Sequence, residues 1–257
     1  MSKKTAAKRR EKRKNAKGDG VSVRKQKHVK VVPLRDKLQE IYNLVNLETT
    51  CCRQGVCCLV ACPQMNFSEA TQILDRIWTE WPTVDKKKLI MKSMRYYFSN
   101  SMVKACPILG KDENGNFGCR VYEDRPLMCR LYGQWPQATY ERRVKGFEKA
   151  TGFDKEQLPL NTQCTHVNRV DDSIELTEEV IDGLAAKIDL LDVRVGKFTP
   201  EQIEKRGNYM TIHDWVLMKF FGEDKLAILT DFLLAAKKEE IDDFLDKQEI
   251  ELEKISL

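Results

Sequence analysis

The feature that most constrains this chain is the placement of its nine cysteines, which are grouped rather than scattered. Five of them (Cys51, Cys52, Cys57, Cys58 and Cys62) lie in the twelve residues CCRQGVCCLVAC. Three more (Cys106, Cys119 and Cys129) lie in CPILGKDENGNFGCRVYEDRPLMCRLY, and Cys164 follows in NTQCTHV. The segment from Cys106 to Tyr132 is too polar and too rich in turn residues to pack its thiols as ordinary core side chains. A fold must therefore bring together sulfur atoms that are distant in sequence, and a shared metal centre is the simplest reason for doing so.

Length and composition say what the thiols are not for. A chain of 257 residues can bury a real core without cross-links. Nine cysteines are too few for a disulfide scaffold of this size, and no apolar signal segment opens the sequence. These observations predict a reducing, cytoplasmic setting in which the thiols stay available to metal. No apolar run approaches the roughly 18 residues of a membrane span.

The net charge of +5 conceals an asymmetry. Residues 1–30 hold 13 Lys and Arg against Glu11 and Asp19, a net of +11, which leaves −6 for the remainder. This stretch has almost nothing to bury, so it is expected to be a basic disordered tail. Its chemistry suits salt-dependent contact with RNA or DNA phosphates, or simple solubilisation.

Apolar spacing after the tail is helical. LRDKLQEIYNLV puts Leu34, Leu38, Ile41, Tyr42 and Val45 on one stripe. NFSEATQILDRIWTEW opens with Asn66 and Glu69 in capping-box spacing, buries Ile73 and Ile77, and ends at Pro82. VDKKKLIMKSMRYYF presents Leu89, Ile90, Met94 and Tyr97. A short hairpin is expected over 106–122, turning at Asn114 and Gly115 and setting Cys106 opposite Cys119. EDRPLMCRLY then reads as a helical turn carrying Cys129, with Asp124 as its cap and Pro126 in its first turn. A helix over 140–151 precedes Cys164. From Leu176 onward the pattern is helical to the end, with caps at Thr177 and Thr199, a short amphipathic helix from Thr211 to Phe221, and stops at Gly196 and Gly222. The fold class is mainly α: a helical protein with a cysteine-rich metal-binding region containing a short hairpin, and a C-terminal helical bundle. The expected divisions are 1–30, 31–170 and 171–257.

Seven thiols form the candidate ligand set: Cys51, Cys57, Cys58, Cys106, Cys119, Cys129 and Cys164. Cys52, Cys62 and His166 are alternatives. Thiolates bind zinc tetrahedrally and also hold iron–sulfur clusters. The number of thiols and the adjacent pair Cys57 and Cys58 favour an iron–sulfur cluster over a single zinc ion, and no paired CxxC knuckles of a zinc ribbon are present. Arg120, Arg125 and Arg130 lie among these thiols, where they either stabilise thiolates or form ordinary ion pairs. The one Gly-X-Gly, Gly18 to Gly20, has no strand before it, so neither a dinucleotide fingerprint nor a P-loop is supported.

Cys51, Cys57 and Cys58, CPIL at Cys106, and CRVYEDRPLMCRLY from Cys119 to Tyr132 together resemble the CxxCxxCC cysteine-cluster family of zinc- or iron-chelating proteins. The resemblance covers roughly residues 51–170. Gln54 stands where the family's second cysteine is expected, so either Cys52 substitutes or one ligand is lost. The resemblance implies a metal site more readily than an activity. Some relatives, such as flagellin lysine methylases, join a similar region to methyl transfer, so a cluster-dependent redox enzyme or a transferase is the alternative to a metal-binding protein. A nucleic-acid or ribosome-associated module using the basic tail is a third reading, and no catalytic residue is assigned.

Overall fold

The structure is a computed structural model that describes residues 33–48, 62–98, 105–111, 115, 117–134, 137–152, 170, 173–205 and 207–257. The chain begins with helix α1 (Leu34–Tyr42), then the two-residue strand β1 (Gln64–Met65), helix α2 (Phe67–Glu80) and helix α3 (Thr83–Tyr97). A hairpin of β2 (Leu109–Lys111) and β3 (Phe117–Cys119) leads through a 3-10 turn at Tyr122–Asp124 into the short helix α4 (Leu127–Arg130). Next come α5 (Gln137–Thr151), α6 (Glu178–Arg194), α7 (Pro200–Glu204) and strand β4 (Met210–Thr211). The chain ends with α8 (Ile212–Phe221), α9 (Glu223–Ala235) and α10 (Lys238–Lys254). The protein is mainly α, as its apolar spacing predicts, with two small two-stranded sheets among the described residues.

Local chemistry accounts for most helix ends. The Asn66 side chain accepts from the Glu69 amide while Glu69 reaches back to the Asn66 amide, which satisfies two amides that a helix start leaves without partners. Thr199 with Gln202, and Thr211 with Asp214, repeat this reciprocal cap. Trp81 leaves α2 in an extended conformation and Pro82 opens α3. Gly222 ends α8 at φ +85°, a torsion that costs glycine little.

Two apolar cores result. The larger gathers Ile73 and Ile77 of α2, Leu89, Ile90 and Met94 of α3, Ile108 and Val121 around the hairpin, and Ile212, Trp215, Val216 and Leu217 of α8. Leu229 of α9 and Leu245 and Leu252 of α10 close it. The smaller holds Leu38 and Tyr42 of α1, Leu127 and Leu131 around α4, and Ile181, Leu184, Ile188 and Leu191 of α6. The C-terminal helices do more than pack on one another. α8 lies against α3 and α2, and α10 against α3, and Pro33–Leu257 forms one compact unit.

A buried polar seam joins the cores. Asp192 of α6 is fully buried, and its carboxylate accepts from the Ser68 amide at 2.8 Å, the Phe67 amide at 3.3 Å, the Ser68 hydroxyl and the Asn208 amide nitrogen at 2.9 Å. It therefore caps the first turn of α2 from a helix more than a hundred residues away. Burial is the main influence on this carboxyl and pushes its pKa above the ordinary value, against the donors that surround it. Replacing Asp192 by Ala strands several buried donors and is expected to cost about 3 kcal/mol or more; urea unfolding at neutral pH measures it.

Candidate metal centre

The polar face of α2 holds the segment that carries Cys129. Glu69, Gln72 and Arg76 recur at the three- and four-residue spacing of one helical stripe. Gln72 Nε2 and Arg76 donate to the Asp124 carboxylate at 2.6 and 2.5 Å, and Arg35 of α1 adds a second cation at 3.3 Å. Glu69 Oε1 accepts from the Leu127 amide at 2.7 Å and from the Tyr42 hydroxyl at 2.7 Å, while Oε2 faces the Asn66 amide at 3.4 Å. One carboxylate thus caps α4, holds α1 and closes the α2 capping box.

This arrangement corrects the expected role of Asp124. It lies in the 3-10 turn before α4 and gathers cations from α1 and α2. The α4 cap comes from Glu69, 58 residues upstream, and Pro126 stands before the helix with no capping side chain of its own.

The three arginines of the segment act as staples. Arg120 pairs with Asp85 at 2.9 Å and lies 3.7 Å over the Trp81 ring. Arg125 covers the Tyr122 ring at 3.6 Å and donates to the Tyr122 carbonyl at 2.9 Å. Arg130 covers Tyr42 at 4.3 Å and donates to the Arg125 and Glu123 carbonyls at 2.7 and 2.6 Å. Burial lowers the Arg130 pKa from its ordinary value. Burial, and then the neighbouring Glu69 charge, hold the Tyr42 hydroxyl well above the usual tyrosine value, so it remains a donor.

Four cysteines are described: Cys62, Cys106, Cys119 and Cys129, all half-buried. Cys62 stands two residues before β1, which pairs antiparallel with β4 and lies against α4, the helix of Cys129. Cys106 and Cys119 pack on the larger core with Cys62. The hairpin forms around Gly115 at φ +80°, but its register sets Leu109 opposite Cys119. Cys106 instead begins the turn that enters β2, its carbonyl accepting from the Leu109 amide at 3.2 Å. The expected pairing of Cys106 with Cys119 is therefore offset by this turn.

His213, which the sequence did not single out, lies against Ala105, the residue before Cys106. It is buried, stacked on Tyr96 with ring centroids 3.5 Å apart, and its Nε2 is 3.3 Å from the Ala105 carbonyl, next to Cys106. A carbonyl only accepts, so Nε2 carries the proton. Tyr96 is raised from its ordinary value by burial and then by nearby Cys62. The Tyr96–His213 stack thus joins the neighbourhood of Cys62 to the residue before Cys106. In sequence, His213 is an ordinary residue in the first turn of an amphipathic helix, and only the packing of α8 on α3 brings it here.

Among the described residues, no three His, Cys, Asp or Glu side chains form a group that could hold an ion. The predicted ligands Cys51, Cys57, Cys58 and Cys164, and the alternatives Cys52 and His166, lie outside the described residues. The donors that are described fit zinc or iron chemically: soft thiolates, half-buried on short segments, beside elements fixed by buried polar contacts.

Glu69 gives this architecture a pH signature. Burial raises its pKa above the ordinary 4.5, so the folded chain holds this proton more tightly than the unfolded one. Its contribution to stability is fully present below about 4.5 and declines as pH rises through the raised value. Glu69→Gln, which turns one acceptor into a donor, is expected to cost about 1–3 kcal/mol at neutral pH. That deficit relative to wild type should widen as pH falls towards 4.5, measured by paired denaturant curves.

No curated protein and no solved structure matches the chain. A family model does, that of CxxCxxCC, described as a putative zinc- or iron-chelating domain, over residues 49–165. The match takes in every cysteine of the chain, so it is over this segment, ahead of α6 to α10, that the chain is similar to a zinc- or iron-chelating domain.

Proposed function

We propose that the protein holds an iron–sulfur cluster, in preference to zinc, through thiolates drawn from Cys51, Cys57, Cys58, Cys106, Cys119, Cys129 and Cys164. The observation that carries this reading is the donor set within the matched segment: seven thiols, two of them adjacent in sequence, exceed what one tetrahedral ion uses. When bound, such a cluster supplies either a one-electron redox centre or a structural cross-link. The chain's own contribution is to hold Cys129 against α2 through Glu69 and Asp124, and to hold Cys106 beside the Tyr96–His213 stack.

Protein purified without oxygen should be brown, with iron and acid-labile sulfide in comparable amounts. Colourless protein with stoichiometric zinc would reverse the choice of metal. Cys119→Ser or Cys129→Ser should lower bound metal and the thermal midpoint together; unchanged values for both would remove these thiols from the site.

A second reading concerns residues 1–30, whose net charge of +11 favours phosphate contact. We propose that this stretch binds RNA or DNA independently of the metal. Deleting it should abolish RNA retention in low salt while leaving metal content unchanged, and retention that survives the deletion would refute the assignment.

A further inference from the structure

We propose that the cleft between α3 and the β2–β3 hairpin is a binding site for a phosphate-bearing anion. The cleft encloses about 230 Å³. Lys88 and Lys92 of α3, Lys111 of β2 and Arg120 line it, with Asp85 as the single carboxylate among the described residues.

The charge balance is the first argument. Asp85 is engaged by Arg120 at 2.9 Å, which leaves three ammonium groups facing the cleft. Among the described residues, Lys88, Lys92 and Lys111 form no ion pair. Lys88 and Lys92 are four residues apart on one helix, a spacing at which like charges repel. The chain after residue 30 is acidic on balance, so this cluster runs against its surroundings. An external polyanion relieves the repulsion.

The second argument is that Arg120 is fixed in place. Its guanidinium is sandwiched between Asp85 and the Trp81 ring, and its stem runs past Gly110, where an added Cβ would meet Arg120 Cδ at 3.4 Å. A fixed guanidinium fork with mobile ammonium groups at the rim is a combination that recognises phosphate. The cleft reaches Pro107, next to Cys106, so an anion held there would adjoin the cysteine segment.

The phosphate could belong to a nucleic-acid backbone or to a free phosphoester, and two probes separate these sources. The full chain is titrated in low salt with inorganic pyrophosphate by calorimetry, and with a short single-stranded oligouridylate by fluorescence anisotropy. The variant Lys88→Gln/Lys92→Gln/Lys111→Gln replaces exposed side chains, and circular dichroism checks its fold. A control, Lys145→Gln/Lys187→Gln/Lys205→Gln, removes the same charge elsewhere. The cleft variant should weaken binding of at least one probe by about tenfold or more, with the control near wild type. Loss confined to pyrophosphate identifies a free phosphoester, and loss that includes the oligonucleotide identifies a backbone phosphate. The proposal is overturned if neither probe responds to the cleft variant, or if the control weakens binding equally.

Discussion

Glu69 is the contact on which the cysteine region depends. Its carboxylate meets the Leu127 amide, the Tyr42 hydroxyl and the Asn66 amide in a setting that excludes water. A buried carboxyl is costly unless its oxygens are satisfied, and here the donors come from α1, the start of α2 and the start of α4. Removing any one of those elements leaves the others with a stranded polar group. The energetic consequence is that α1, α2 and the Cys129 helix are stable as a set.

Asp192 plays the matching part at the start of α2, fixing its first turn to α6 and to Asn208. Between them, the two carboxylates position α2 against both apolar cores. The cysteine-rich segment is therefore held by helices that lie outside it: α6 supplies Asp192, and α8 supplies His213 and the Trp215 indole that donates to the Met65 carbonyl at 3.1 Å. Rigid surroundings of this kind suit a site whose ligands sit on loops and short turns, because the supporting shell sets how accurately thiols converge.

The arginines illustrate how a sequence-level reading of charge is resolved by geometry. Arg125 and Arg130 could have served the thiols or the solvent. They instead cover aromatic rings and satisfy main-chain carbonyls within the 122–130 segment, a use that composition does not reveal. Arg120 is held by Asp85 and Trp81 at the edge of the cationic cleft, which connects the cysteine hairpin to a surface feature absent from any motif.

What the sequence determined by itself is whatever depends on near neighbours. Helical stripes, the caps at Asn66, Thr177 and Thr199, the stops at Gly196 and Gly222, and the Gly115 turn are set by interactions within a few residues, so they are legible in one dimension. The thiol grouping and the similarity of residues 49–165 to a zinc- or iron-chelating domain are legible for the same reason, being carried by local strings. Tertiary structure decided what depends on long-range pairing: that Glu69 caps α4, that Asp124 is a cation hub, that Cys119 faces Leu109, and that His213 stands beside Cys106. Nothing in the local pattern distinguishes Glu69 the capping-box residue from Glu69 the bridge between elements, because the second role exists only once α1, α2 and α4 have packed and water has been excluded.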